Sequence, residues 1–214
     1  VDSNECSCNG RKHILTEDGW IPCPCLNRER YDRNISRAGI PVYMTDMTWK
    51  AWAKRHASAA RIAKELRGYF DEIIREGRVQ RSRCLYGPAS SGKVTLAYLF
   101  LKECIKRGLT GRTVLLGDLV RGQFDDNREL LTEMLNVDVA IVRLGMEEEH
   151  KWNGPTLERL HFTRKAGEKA TIYTTRDGPG IWTAKYGDVI SNVVWEPKAD
   201  TIVWNLASGK TVVP

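Results

Sequence analysis

The sequence predicts an α/β fold, a parallel sheet flanked by helices around a phosphate-binding loop, preceded by a small cysteine-rich knuckle. Three observations predict it. From Arg83 onward short apolar runs alternate with helical patterns, as in a parallel sheet joined by crossover helices. The stretch Gly87-Pro-Ala-Ser-Ser-Gly92-Lys93 links one such run to one such helix and follows the G-x-x-x-x-G-K-[ST] pattern up to its last position. Near the start, four cysteines form two tight pairs, Cys6-Ser-Cys8 and Cys23-Pro-Cys25, with fourteen residues between them.

Residues 1–40 lack regular periodicity and are rich in turn formers, which fits a metal-stapled knuckle. Four thiolates close a tetrahedral Zn²⁺ site and leave no open position, so the zinc expected at Cys6, Cys8, Cys23 and Cys25 is structural. Two disulfides or free thiols are the alternatives, and His13 is a possible substitute ligand. The stretch Arg28–Arg37 reads as a short basic helix, broken by Gly39-Ile-Pro41. Residues 41–82 then form a basic helical segment. Thr45 or Thr48 caps a helix running from Trp49 to Glu76, whose apolar face carries Ile62, Leu66, Tyr69, Phe70, Ile73 and Ile74. Trp49 and Trp52, three apart, either share that face or stack on bases.

Residues 83–214 are the core. Cys84–Tyr86 is the strand feeding the loop, Val94–Arg107 the helix leaving it, and Gly108 its C-terminal stop. Thr113–Leu116 is the second strand, followed by a helix over 127–135. Val137–Val142 is continuous and apolar, hence central. A helix over 155–165, a strand at Ala170–Thr175, a helix over 181–192 and a last strand at Thr201–Trp204 complete the order. Cys84 and Cys104 stand alone, in a buried strand and a helix.

The loop assigns Gly87, Ser90, Ser91, Gly92, Lys93, Val94 and Thr95 to nucleotide binding. Its glycines let several N–H groups converge on one anion, and Lys93 reaches the outer phosphates. The position after Lys93 ordinarily carries a hydroxyl for Mg²⁺; here it is Val94, whose isopropyl group cannot ligate a hard cation. ATP or ADP is therefore an expected ligand and Mg²⁺ a doubtful one.

Composition narrows the partners. The net charge of +6 is concentrated: residues 26–83 carry +7 against −2 before them and +1 after. Such a block points to an acidic partner, with Arg28, Arg30, Arg33, Lys54 and Arg55 as the basic track and Tyr31 and Trp52 as aromatic platforms for single-stranded DNA. No run approaches the roughly 18 apolar residues of a membrane span, and no secretory signal opens the chain, so a cytoplasmic setting is expected.

With this order of elements the chain resembles the DnaC/IstB-type branch of the AAA+ ATPases, the replicative helicase loaders. The resemblance rests on Cys6, Cys8, Pro22-Cys-Pro-Cys25, Ala38-Gly-Ile-Pro41, the loop after a long helix, and the C-terminal segment Lys185–Asn192. It implies an AAA+-like P-loop NTPase core, binding to a replicative helicase, self-assembly into an AAA+-like oligomer, and a bacterial or phage-infected cell.

Departures from the family pattern are as informative. Its third strand ends in Asp-Glu, the acids that anchor Mg²⁺ and polarise water; here Arg143 and Leu144 occupy those places. Glu147–Glu149 read as a solvated acidic turn, and Arg143 as a charge facing the phosphates in place of Mg²⁺. The family's trans-acting arginine aligns with Asn192 and a second customary arginine with Val189, while Thr174 or Thr175 takes the sensor place. An arginine finger supplies about 10³–10⁵ in rate. The expectation is thus a phage- or mobile-element-type helicase-loader-like protein of DNA replication whose core binds nucleotide without catalytic residues for its hydrolysis. A working ATPase of the IstB-like transposition-regulator type, with Thr95 and the acidic turn around Mg²⁺, and a pure protein–protein adaptor or inhibitor are the alternatives.

Overall fold

The structure, a computed structural model, describes residues 13–16, 19–22, 24–79, 81–124, 129–196 and 201–213. Strands β1 (His13–Thr16) and β2 (Gly19–Pro22) pair as an antiparallel ribbon, and helix α1 (Pro24–Arg37) follows. The helix read at Arg28–Arg37 ends where expected and begins earlier, at Pro24, and the stretch read as irregular before it holds the ribbon. The helix starts at Pro24, whose fixed φ suits a first helical turn. Of the proposed zinc ligands, Cys6, Cys8 and Cys23 lie outside the described residues, and Cys25 falls in the first turn of α1, where the backbone alone is described. Among the described residues no group of three metal-ligating side chains assembles.

The helix expected over 49–76 is two helices, α2 (Trp49–Arg55) and α3 (Ala60–Glu76). Thr48 is the cap, its Oγ1 accepting from the Ala51 N–H at 3.2 Å. At His56 the backbone leaves helical geometry (φ −128°, ψ 54°), and a short 3₁₀ turn at Ala57–Ala59 redirects the chain. Ile62, Leu66, Tyr69 and Ile73 are buried as their spacing requires, while Ile74 is exposed.

The core follows the expected alternation with two corrections: the single helix read over 181–192 is two helices broken at Gly187, and the strand at 201–205 is followed by another at Lys210–Val213. Strand β3 (Ser82–Tyr86) leads into α4 (Lys93–Lys106), and β4 (Gly111–Leu115) runs into α5 (Leu116–Gly122). Then come α6 (Glu129–Asn136), β5 (Val139–Arg143), α7 (Asn153–Ala166) and β6 (Ala170–Thr175). Helices α8 (Pro179–Tyr186) and α9 (Asp188–Trp195) precede β7 (Thr201–Asn205) and β8 (Lys210–Val213). The strand order is β4-β5-β6-β3-β7-β8, parallel throughout except for β8, which turns back on β7. The result is a six-stranded, mostly parallel sheet flanked by helices, the α/β class the sequence predicts.

Alternation along the strands builds two cores. Val139, Ile141 and Ile172 face one side, where they meet Leu96, Phe100 and Leu101 of α4 and Trp52, Leu66 and Tyr69 from α2 and α3. Ala140, Val142 and Tyr173 face the other, against Leu157, Leu160, Trp182 and Ile190. Both faces are covered, as a parallel sheet requires. Cys84 and Cys104 are free and buried, and burial pushes both thiols up. No helix among the described residues is long and apolar enough to cross a membrane.

Candidate nucleotide site

The loop lies at the C-terminal end of β3, between the ends of β6 and β7. The Gly87 N–H donates to the Thr175 carbonyl (3.2 Å) and the Leu206 N–H to the Tyr86 carbonyl (2.9 Å), so both neighbouring strands hold the loop's entrance. Three residues in the loop have positive φ: Gly87 (151°), Ser90 (62°) and Gly92 (82°). Such turns aim successive N–H groups inward and form an anion-binding concavity. Gly92 caps α4, and Lys93 is that helix's first residue, so the helix's positive end adds to the site. A side chain at Gly92 is excluded for a second reason: its Cβ would lie 2.6 Å from His56 Nε2 and 2.7 Å from Trp52 Nε1.

Lys93 is half-buried and donates to the Pro88 carbonyl at 2.8 Å. Its ammonium pKa is lowered, first by burial and then by the neighbouring Arg176 guanidinium. An anion in the loop would favour the charged ammonium; Arg176 itself pairs with the Asp177 carboxylate, its Nε 3.8 Å from Oδ1. Ser91 Oγ is buried without a hydrogen-bond partner beside Gly87. These features fit the phosphates of a nucleotide. A metal ligand from the loop fits less well, because Val94 packs against the apolar core under α4. Thr95 is half-buried in the first turn of that helix.

Trp52 corrects an expectation. Assigned to a nucleic-acid surface, it is only 1% exposed, because the bend at His56 folds α2 onto α4. Its indole N–H donates to the Gly92 carbonyl at 2.9 Å, and its ring lies 5.0 Å from that of His56. Trp52 holds the loop instead of stacking on bases. Substituting it with phenylalanine is expected to weaken nucleotide binding by about tenfold, the worth of one hydrogen bond plus loosened packing, with a folded far-UV spectrum retained. Titration of a fluorescent ATP analogue checks this.

The other surface residues divide. Arg28, Arg30 and Arg33 on α1 and Lys54 and Arg55 at the end of α2 are exposed. Tyr31 is half-buried against the core, its phenol pKa raised by burial first and then by Asp32 and Glu103.

At the end of β5 no carboxylate occupies the place of the family's acids. Leu144 is buried in the core. Arg143 does not face the loop: its Nη1 donates to Tyr98 Oη on α4 at 3.1 Å, and its Nη2 lies 3.8 Å from Met146 Sδ. The strand alternation that sends Val139 and Ile141 towards α4 sends Arg143 there too. The acidic turn is only partly solvated. Glu148 and Glu149 are exposed, but the Glu147 carboxylate folds back to accept from the Gly145 N–H (2.9 and 3.0 Å), the Met146 N–H (3.1 Å) and the Tyr186 hydroxyl. Burial, then this hydrogen bond, raises the Tyr186 pKa. Asp177, which sequence reasoning missed, is buried beyond β6 and accepts from Lys185 Nζ at 3.0 Å. Thr175 accepts from the Asp177 N–H (3.0 Å) and the Trp182 indole (3.3 Å), leaving Thr174 nearer the α4 face. Asn192 and Val189 are exposed on α9.

No protein-family model and no curated protein sequence matches the chain. Solved structures do match in fold. A DnaC helicase loader superposes with a TM-score of 0.58 at 20% identity, over 72% of this chain and 97% of its own. A DNA replication initiation factor (TM-score 0.51, 16% identity) and the replication initiator DnaA bound to AMPPCP and single-stranded DNA (0.52, 16%) cover 69% and 68% of this chain. This chain spans 44% and 46% of those two. At these identities the likeness is one of fold.

Proposed function

We propose that this chain is a helicase-loader-like protein of DNA replication, of phage or mobile-element type, whose AAA+ core binds ATP or ADP without hydrolysing it. One observation carries the nucleotide reading: Lys93, held by the Pro88 carbonyl, begins the helix that leaves a loop in which Gly87, Ser90 and Gly92 have positive φ, with the Ser91 hydroxyl buried and unpartnered beside Gly87. The reading against hydrolysis is supported by the end of β5. Arg143 is turned to Tyr98, Glu147 is committed to its own turn and to Tyr186, and Val94 packs in the core. In-line attack on a γ-phosphate needs a placed metal and a polarised water, and these three residues are engaged elsewhere. A fold shared with a DnaC helicase loader over nearly that protein's whole length supports the loader reading.

Partner binding falls to the N-terminal half. The exposed cations of α1 and α2 form a track suited to single-stranded DNA, or to an acidic face of a replicative helicase, with structural zinc on the four cysteines steadying the segment before it. If Arg28, Arg30, Arg33, Lys54 and Arg55 each meet a phosphate, affinity for an oligo-dT strand falls about a hundredfold between 50 and 200 mM salt. Anisotropy titrations at the two salt concentrations measure this, and an affinity indifferent to salt would remove DNA from the proposal. Co-elution of the full chain with a replicative helicase on size exclusion tests the loader reading. Failure to co-elute with nucleotide present, alongside intact nucleotide binding, would leave an adaptor for another protein.

A further inference from the structure

The outer strand β4 and its neighbour β5 frame a second cavity of about 230 Å³, which shares no lining residue with the loop at 87–93. Thr113, Arg143 and Tyr98 line it together. Thr113 pairs in register with Ile141, so its side chain lies on the α4 face of the sheet, as does that of Arg143 two residues on.

The polar groups of this cavity are under-supplied with acceptors. Arg143 has one neutral oxygen partner, Tyr98 Oη, and its Nε is buried with no hydrogen bond. Thr113 is 8% exposed, and its hydroxyl is likewise buried without a partner. The remaining charges on the cavity wall are committed. Arg112 is ion-paired with Glu133 (Nε to carboxylate 3.4 Å, without a hydrogen bond at Nε) and donates through Nη1 to the Arg37 carbonyl, and the Asp118 carboxylate accepts from Arg121 at 2.6 Å. The uncommitted charge is therefore one half-buried guanidinium whose Nε is buried without an acceptor, and a buried donor left unpaired is costly. A compact oxyanion answers every deficit. It accepts from Arg143 Nε and from the Thr113 hydroxyl, and it frees the Tyr98 proton, unused while that oxygen accepts, to donate as well.

We infer that this cavity is a second anion site, specific for a phosphate group and independent of the nucleotide loop. The probe is inorganic phosphate, titrated calorimetrically into the full-length Lys93→Ala chain, where the loop no longer competes. One binding site is expected to remain. Adding Arg143→Gln should weaken it at least tenfold, and adding Thr113→Val should weaken it several-fold with no change in melting temperature. Absence of phosphate binding in Lys93→Ala overturns the inference, as does unchanged affinity in Arg143→Gln. Should that variant fail to fold, unchanged affinity in Thr113→Val overturns it equally. Repeating the series with an oligo-dT strand identifies the source. Parallel weakening means the site takes a DNA backbone phosphate, and weakening of inorganic phosphate alone means it takes a small free anion. Either outcome upholds the site.

Discussion

Replacing Lys93 with alanine is expected to weaken ATP and ADP binding by about a hundredfold while leaving the fold intact. The ammonium is the one charged group of the loop itself, and hydrogen bonds to charged groups are worth about 1.5–3 kcal/mol each. A hundredfold corresponds to about 2.7 kcal/mol, the upper part of that range, as suits a half-buried cation. Stability should not fall. Among the described residues the Lys93 ammonium donates to the Pro88 carbonyl, a bond within its own loop, and burial already disfavours its charge. Isothermal calorimetry with each nucleotide, beside a thermal melt of the unliganded variant, separates the two effects. A binding constant unchanged by the substitution would show that the loop is not the nucleotide site.

The largest loss of stability is expected at Arg164, far from that chemistry. This fully buried guanidinium donates to the carbonyls of Met134, Val137, Asp138 and Ala170 and to Thr171 Oγ1, at 2.6–3.1 Å. Desolvation lowers its pKa to about 10, which still leaves it charged at neutral pH. It ties the end of α6 to the starts of β5 and β6. Arg164→Met keeps much of the volume but strands several buried carbonyls, each costing about 1–3 kcal/mol when unpaired. Allowing for rescue by water, about 3–5 kcal/mol is expected. With a urea slope of about 2 kcal/mol/M, the unfolding midpoint should move down by roughly 2 M. A shift below about 0.5 M would mean the carbonyls find other partners.

What the sequence made legible follows from locality. The phosphate loop, the strand at 170–175 and the stop after α4 are written in adjacent residues, and each appears where its pattern places it. The apolar run 137–142 holds β5, which starts two residues later because Val137 still bonds back to Glu133 of α6. Arg164, by contrast, reads as the basic end of an amphipathic helix; only the arrival of α6 and β5 around it makes it a keystone. Trp52 was ambiguous for the same reason. Its spacing from Trp49 suits either a core face or a stacking face, and the deciding partner, Gly92, is forty residues away. The bend at His56 carries no glycine or proline to announce it. Helix α5 begins where β4 ends, inside one apolar run, so no turn residue separates them. Glu147 looked solvated among its acidic neighbours, and its acceptors' partner Tyr186 comes from α8. The sequence puts Arg143 at the end of its strand, but the direction of its side chain follows from sheet parity and from Tyr98 on α4, neither visible in the strand's own residues.

Phosphate release from ATP by the purified chain, with magnesium and with and without single-stranded DNA, tests the central claim most directly when run beside a binding titration. Saturable ATP binding with release no faster than a Lys93→Ala control is the predicted pair of results. Release well above that control would contradict it, because Glu147, now tied to backbone and Tyr186, or the exposed Glu148 or Glu149, would then have to reach a metal beside the loop.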